Sequence, residues 1–277
     1  MKIISVVGAR PNFMKIAPFI NAIHEVNTAS SPLLGEDVSL RPLEKEAERV
    51  NKKPETKDQI AHILVHTGQH YDDRMSKAFF ESLGIPEANI NLGIGSGSHA
   101  EQVGNTMMAF EKVLLKEKPD WVVVVGDVNA TLACSVTAKK LHVKVCHIEA
   151  GLRSGDEAMP EEINRLVTDR LSDLLLTPDK LSNANLKAEG VPDSKIKFVG
   201  NIMIDTLEAN RDKATQLDVN NIIENNLLEE QLETRSLKLE ANSSYAVLTM
   251  HRPSNVDTKE ILEPILFFLT DEVAEDM

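Results

Sequence analysis

Short apolar runs recur along the chain: Ile3–Gly8, Ile63–Gly68, Trp121–Gly126, Val143–Ala150, Asp173–Thr177 and Lys195–Gly200. Each is apolar nearly throughout and is stopped by a glycine, a proline or a turn. A continuous apolar run, as opposed to an alternating one, marks a strand covered on both faces, and so a parallel sheet. Between the runs the period changes to that of amphipathic helices. One opens at Ser98-His-Ala-Glu101, a capping-box pattern, and carries Val103, Met107, Phe110 and Leu114 at helical spacing. Another opens at Pro160-Glu161-Glu162, with proline at the first helical position and acids in the first turn. Strands alternating with helices in this way predict a doubly wound α/β fold.

A polar stretch, Thr28–Lys57, separates the first strand and helix from the second strand, and its core Arg41–Lys53 reads as a solvated charged helix. After Gly200 the pattern restarts. Helical segments are expected over Ile202–Lys213 and Val219–Arg235, a strand over Tyr245–Met250, and a helix from about Asp257. The division therefore falls near Gly200, giving a first domain over residues 1–200 and a partial second domain over 201–277.

Composition narrows the function classes. Of 277 residues 42% are hydrophobic and 26% charged, as in ordinary globular proteins. Net charge is −13 and no basic stripe occurs, so nucleic acid is not an expected partner. Cys134 and Cys146 are the only cysteines, too few for a disulfide framework or a zinc cluster. They read as buried thiols of a reduced compartment. No apolar run reaches the ~18 residues of a membrane span, and the N-terminus does not read as a signal peptide, so a cytoplasmic location is expected. His24, His62, His66, His99, His142 and His147 lack ligand-like spacing, so they read as structural and no metal site is expected. Neither G-x-x-x-x-G-K-[ST] nor a G-x-G-x-x-G after a strand occurs, which argues against ATP or NAD, and no cofactor is expected.

In an open parallel sheet the ligand site lies beyond the carboxyl ends of the strands. The polar residues there are Arg10, Gln69, His70, Asp127 and Glu149; a later helix adds Glu161 and Arg165, and the strand past Gly200 ends in His251 and Arg252. Some have plainer roles open to them. Asp127 is placed to cap the helix Asn129–Leu141. Glu161 and Arg165, four apart, are placed for a surface ion pair. Glu149 is different, because a carboxylate ending a buried strand needs a partner or a purpose. Arg10 and Lys15, at the start of the first helix, can meet a pyrophosphate. Taken alone, these residues indicate an α/β enzyme with an anionic ligand.

Seven strings sharpen this: Gly8-Ala-Arg-Pro-Asn-Phe-Met-Lys-Ile-Ala-Pro18, His66-Thr-Gly-Gln-His-Tyr-Asp72, Gly126-Asp-Val-Asn129, His147-Ile-Glu-Ala-Gly-Leu-Arg153, Pro160-Glu-Glu-Ile-Asn-Arg165, Gly200-Asn-Ile-Met-Ile-Asp205 and His251-Arg252. In this order they resemble the motif series of the non-hydrolysing UDP-N-acetylglucosamine 2-epimerases. The resemblance implies two Rossmann-like domains of the GT-B type facing a cleft, with the second incomplete in this chain. It implies UDP-N-acetylglucosamine as substrate and a homodimer. The implied reaction is anti-elimination of UDP to 2-acetamidoglucal, followed by re-addition to give UDP-N-acetylmannosamine. Asp127, Glu149, Glu161 and His251 take the catalytic positions, and Arg10, Lys15 and Arg165 the substrate-binding ones. Two departures stand out: Ser254 occupies a place where the family usually has Glu, and the family's later Ser-Gly-Gly stretch has no counterpart after Asn255. The alternatives are a truncated, inactive remnant or a hydrolysing 2-epimerase releasing N-acetylmannosamine and UDP.

Overall fold

The computed structural model describes residues 1–29, 59–68, 84–226, 248–250 and 253–273, with the side chains at 10, 11, 223–226, 253, 254, 272 and 273 excepted. The chain forms two compact units, Met1–Arg211 and Asp212–Met277. The first is built on a seven-stranded sheet: β1 (Lys2–Val7), β2 (Ala61–His66), β3 (Ile90–Asn91), β4 (Trp121–Val125), β5 (Lys144–Ile148), β6 (Leu174–Thr177) and β7 (Ile196–Phe198). Its order is β3-β2-β1-β4-β5-β6-β7 and every pair is parallel. The doubly wound α/β class read from the apolar runs is thus the observed one. The two-residue β3 was not anticipated, since so short an element leaves no run to see.

The strands are apolar on both sides because helices cover both. On one face Ile3, Val7, Leu64, Val123, Val125, Cys146 and Ile148 pack against Phe13, Ile16, Ala17 and Ile20 of α1 (Arg10–Ala29). On the other, Ile4, Val6, Val65, Val122, Val124 and Val145 meet Phe110, Val113 and Leu114 of α2 (His99–Glu117), together with Cys134 and Ala138 of α3 (Asn129–Lys140). Phe13 and Phe110 are wholly buried, one on each face, and each contributes roughly 1.5–3 kcal/mol by that burial. The capping box forms as the sequence implies: Ser98 Oγ accepts from the Glu101 amide and Glu101 Oε2 accepts from the Ser98 amide.

Two further helices complete the part of the unit that bears on the site, α4 (Pro160–Leu171) and α5 (Lys180–Ala188). The helix α6 (Ile202–Thr215) leaves the last strand, and Thr206 Oγ1 donates to the Met14 carbonyl of α1 at 2.5 Å. In the second unit the described residues include α7 (Val219–Asn226), α8 (Pro253–Val256), α9 (Lys259–Phe267) and a π-helical turn, Phe268–Val273. The strand expected over Tyr245–Met250 is not seen at 248–250, which has no regular structure, and its beginning lies outside the described residues. The charged helix read at Arg41–Lys53 also lies outside them. Among the described residues no helix is long and apolar enough to cross a membrane.

Candidate active site

The strand order reverses between β1 and β4, so their carboxyl ends open a crevice at a topological switch point. The first turn after β4 shapes it. Gly126 has φ +65°, and a Cβ there would lie 3.2 Å from Lys15 Nζ, 3.3 Å from Glu149 Oε2 and 3.4 Å from Asn12 Nδ2. Only glycine fits a left-handed turn so closely surrounded. Asn12, at the start of α1, ties the two strand ends together. Its Oδ1 accepts from the amides of Gly8 (3.4 Å) and Ala9 (3.1 Å), and its Nδ2 donates to the Val125 carbonyl at 2.7 Å.

Two ion pairs meet at this turn. Lys15, one and a half helical turns into α1, pairs with Glu149, and both side chains are largely buried. Glu149 itself holds φ +71°, a left-handed conformation that costs a non-glycine residue of order 1–3 kcal/mol and gathers at functional sites. The second pair begins at Asp127. Its Oδ2 accepts from Arg165 Nε at 3.1 Å and Arg165 Nη2 at 2.6 Å. Asp127 therefore does not cap the following helix: the residue at that N-cap is Val128, which makes no side-chain bond.

The partner of Arg165 within α4 is also not the one expected. Arg165 Nη1 donates to Glu162 at 2.6 Å, three residues back, whereas Glu161 is exposed in the first turn of the helix. Glu162 is 2% exposed. It accepts the amides of Ser154 (3.0 Å) and Gly155 (3.1 Å) as well, fastening the loop that leads into α4. Burial opposes its ionisation, but the Ser154 amide, the Arg165 guanidinium and the Gly155 amide outweigh it and hold the carboxyl down to about 2. Glu162 thus locks Arg165 from one side while Asp127 holds it from the other.

The buried face of α4 is polar throughout, with Glu162, Asn164, Thr168 and Asp169 turned inward. Asn164 Nδ2 donates to the Asp127 carbonyl at 2.8 Å. Asp169 Oδ1 meets His147 Nδ1 at 2.6 Å, and Asp169 Oδ2 accepts from Arg153 Nη1 (2.8 Å) and the Gly151 amide (3.0 Å). Burial works against ionisation of Asp169, and the neighbouring His147 and Arg153 overcome it, so its carboxyl stays below the usual range. Of the residues picked from the sequence, the structure joins Lys15 to Glu149 and Asp127 to Arg165 around one turn. Arg10 heads α1, its side chain outside the described residues, and His251 lies outside them altogether. Glu162, Asn12, Asn164 and Asp169 were missed, and His147 was read as merely structural. Their common signal is a buried polar residue within or beside a recognised string, as in Asn12, Glu162 and Asn164. Among the described residues no cluster of His, Cys, Asp and Glu is arranged to hold a metal ion.

A doubly wound sheet with paired carboxylates and cations at its switch point defines the class: an α/β fold whose ligand crevice brings carboxylates and cations together. The comparisons narrow that class. The family model for UDP-N-acetylglucosamine 2-epimerase matches residues 52–276, and the chain belongs to that family. It is 41% identical over 268 residues to a UDP-N-acetylglucosamine 2-epimerase homolog of Methanococcus maripaludis, covering 96% of this chain and 61% of that protein. A UDP-2,3-diacetamido-2,3-dideoxy-D-glucuronate 2-epimerase of Pseudomonas aeruginosa is 37% identical, with 98% of this chain and 63% of that protein covered. The crystal structure of the Methanocaldococcus jannaschii UDP-GlcNAc 2-epimerase, in complex with UDP-GlcNAc and UDP, superposes with a TM-score of 0.75 at 36% identity. That match covers 98% of this chain and 62% of the other. The chain thus spans somewhat over three fifths of the length of these three relatives.

Proposed function

We propose that the protein acts as a UDP-N-acetylglucosamine 2-epimerase, interconverting UDP-GlcNAc and UDP-ManNAc through elimination of UDP and its re-addition to 2-acetamidoglucal. The observation that carries this reading is the convergence of the Lys15–Glu149 and Asp127–Arg165 pairs on the Gly126 turn, in a chain of this family. Carbon 2 has no adjacent carbonyl to acidify it, so its proton leaves only as UDP departs. Both ring faces must be served, which requires more than one carboxyl group beside the sugar. Asp127, Glu149 and Glu161 supply these, with His251 as a fourth acid–base group. Arg10, Lys15 and Arg165 meet the diphosphate and stabilise the charge that grows on it. Lys15 is paired with Glu149, and Arg165 with Asp127 and Glu162. An arriving diphosphate competes for both cations and so releases the carboxylates to act on the sugar.

The same reading carries a second Rossmann-like domain from about Gly200, a homodimer, a cytoplasmic location and a product used in polysaccharide building. These follow from family resemblance. A second substrate is favoured by one observation, the 37% identity to the Pseudomonas protein named for a diacetamido-glucuronate nucleotide. Proton and phosphorus NMR of the chain in heavy water, with each nucleotide sugar in turn, tests both. Deuterium at carbon 2 of a manno product still bound to UDP, from UDP-GlcNAc, supports the first reading. Turnover confined to the diacetamido-glucuronate substrate supports the second. Free UDP with N-acetylmannosamine would show a hydrolysing enzyme, and unchanged spectra with both sugars would sink the proposal for this chain.

A further inference from the structure

His147 stands where the alternation of β5 calls for an apolar residue. Val145 and His147 share the face of the sheet that α2 and α3 cover, and the His147 side chain is 0% exposed. Both of its ring nitrogens are engaged. Nε2 lies 2.8 Å from the Gly126 carbonyl oxygen, and Nδ1 lies 2.6 Å from Asp169 Oδ1. A carbonyl oxygen only accepts, so Nε2 must carry a proton. One proton then remains to be placed between Nδ1 and Asp169. Asp169 Oδ2 already receives two donors, Arg153 Nη1 and the Gly151 amide, and donors gathered on a carboxyl group favour its charged form. The Asp169 carboxylate thus anchors the ring from the side opposite Gly126.

We propose that His147 is a buried positioning residue, whose Nε2–H fixes the Gly126–Asp127 peptide and so aims the Asp127 carboxylate, with Asp169 holding the ring from its other side. This rests on the epimerase reading for its catalytic consequence and on geometry for the rest. The charges around the ring balance. Asp169 of α4 faces it, Arg153 backs Asp169, and Arg153 is in turn bound by Glu189 after α5, at 2.7 Å through Nε and 2.8 Å through Nη2. On the side of the site, Glu149 is matched by Lys15 and Asp127 by Arg165. The holding of Asp127 is two-sided. The carbonyl before its Cα is gripped by His147 and the carbonyl after it by Asn164. The Gly126 amide completes the frame by donating to the Ile148 carbonyl at 3.1 Å. A carboxylate on a glycine turn is otherwise free to swing, and sub-ångström placement decides how well an acid–base group works.

The test combines one measurement on the native chain with two variants. In the chain labelled with 15N-histidine, the His147 Nε2 is expected to carry a proton that shows a hydrogen-bond coupling to the Gly126 carbonyl carbon. Absence of that Nε2 proton or of the coupling, in the folded chain, overturns the proposal. In His147→Leu the Gly126 carbonyl 13C and Asp127 amide resonances should shift, while those of residues 121–123 stay in place. Unchanged resonances overturn the positioning role whether or not the chain turns over. If UDP-GlcNAc is epimerised, His147→Leu should lower kcat about tenfold to hundredfold with KM within about twofold. His147→Gln, which keeps a donor for the Gly126 carbonyl, should recover part of that loss. Wild-type kcat in a folded His147→Leu overturns the proposal. A wild-type chain that turns over no substrate sinks the epimerase reading and leaves the two NMR measurements to decide this one.

Discussion

Replacing Glu162 with glutamine isolates the charge of one buried carboxylate at near-constant shape. The carboxyl ionises at about 2 in the folded chain against an ordinary 4.5. At about 1.4 kcal/mol per pH unit, this difference amounts to about 3 kcal/mol of stability at pH 7. The folded-state value is depressed, so the contribution is complete above about pH 5 and is lost as pH falls from there toward 2. At pH 3 the same linkage leaves about 1.5 kcal/mol. Glutamine adds a second effect: its NH2 group would face Arg165 or the amides of Ser154 and Gly155, which are all donors. One mismatched donor costs about 1 kcal/mol more, at every pH. Urea unfolding of the wild-type and Glu162→Gln chains should therefore show a stability gap of about 4 kcal/mol at pH 7, shrinking to about 2.5 kcal/mol at pH 3. A gap that stays constant between these pH values would refute the reasoning, because it would mean that the Glu162 charge contributes nothing and the loss is one of shape alone.

Asp127→Asn should lower the rate of epimerisation by roughly 10²–10⁴ while leaving the unfolding midpoint close to wild type, read by NMR turnover and thermal denaturation. Gly126→Ala places a methyl group in a left-handed turn 3.2 Å from Lys15 Nζ, which should cost about 1–2 kcal/mol by denaturant titration and reduce turnover through the displaced Lys15–Glu149 pair; equal stability and activity would contradict it. Lys15→Met strands the Glu149 carboxylate at a largely buried strand end, with an expected loss of several kcal/mol that Glu149→Gln in the same chain partly restores, as a double-mutant cycle would measure. Ser98→Ala removes the side-chain half of the α2 capping box and should cost about 1 kcal/mol with turnover unchanged.

The sheet was legible in the sequence because burial on two faces writes itself as an unbroken apolar run. Val122–Val125 admits no other reading, and its flanking glycine marks where the strand must stop. The site was legible differently, through short strings whose residue types and order are specific even though no periodicity carries them. What neither signal conveyed is pairing. Glu161 and Glu162 are adjacent, and spacings of four and three residues from Arg165 are equally compatible with contact on a helix. The choice is made by the phase of α4 against the sheet, which turns 162 and 169, two helical turns apart, toward the core together. That phase cannot be found from an apolar stripe, because the inward face of α4 is composed of Glu, Asn, Thr and Asp. A polar face of this kind is stable only where its charged and amide groups meet partners, as Glu162, Asn164 and Asp169 do. Most of those partners, Ser154, Gly155, Asp127, Arg153 and Gly151, come from the two loops at the crevice, and His147 from the end of β5. The same residues therefore fold the helix onto the sheet and hold the Asp127–Arg165 pair in place, which is why the inward face of α4 lacks the hydrophobic pattern that such faces ordinarily show.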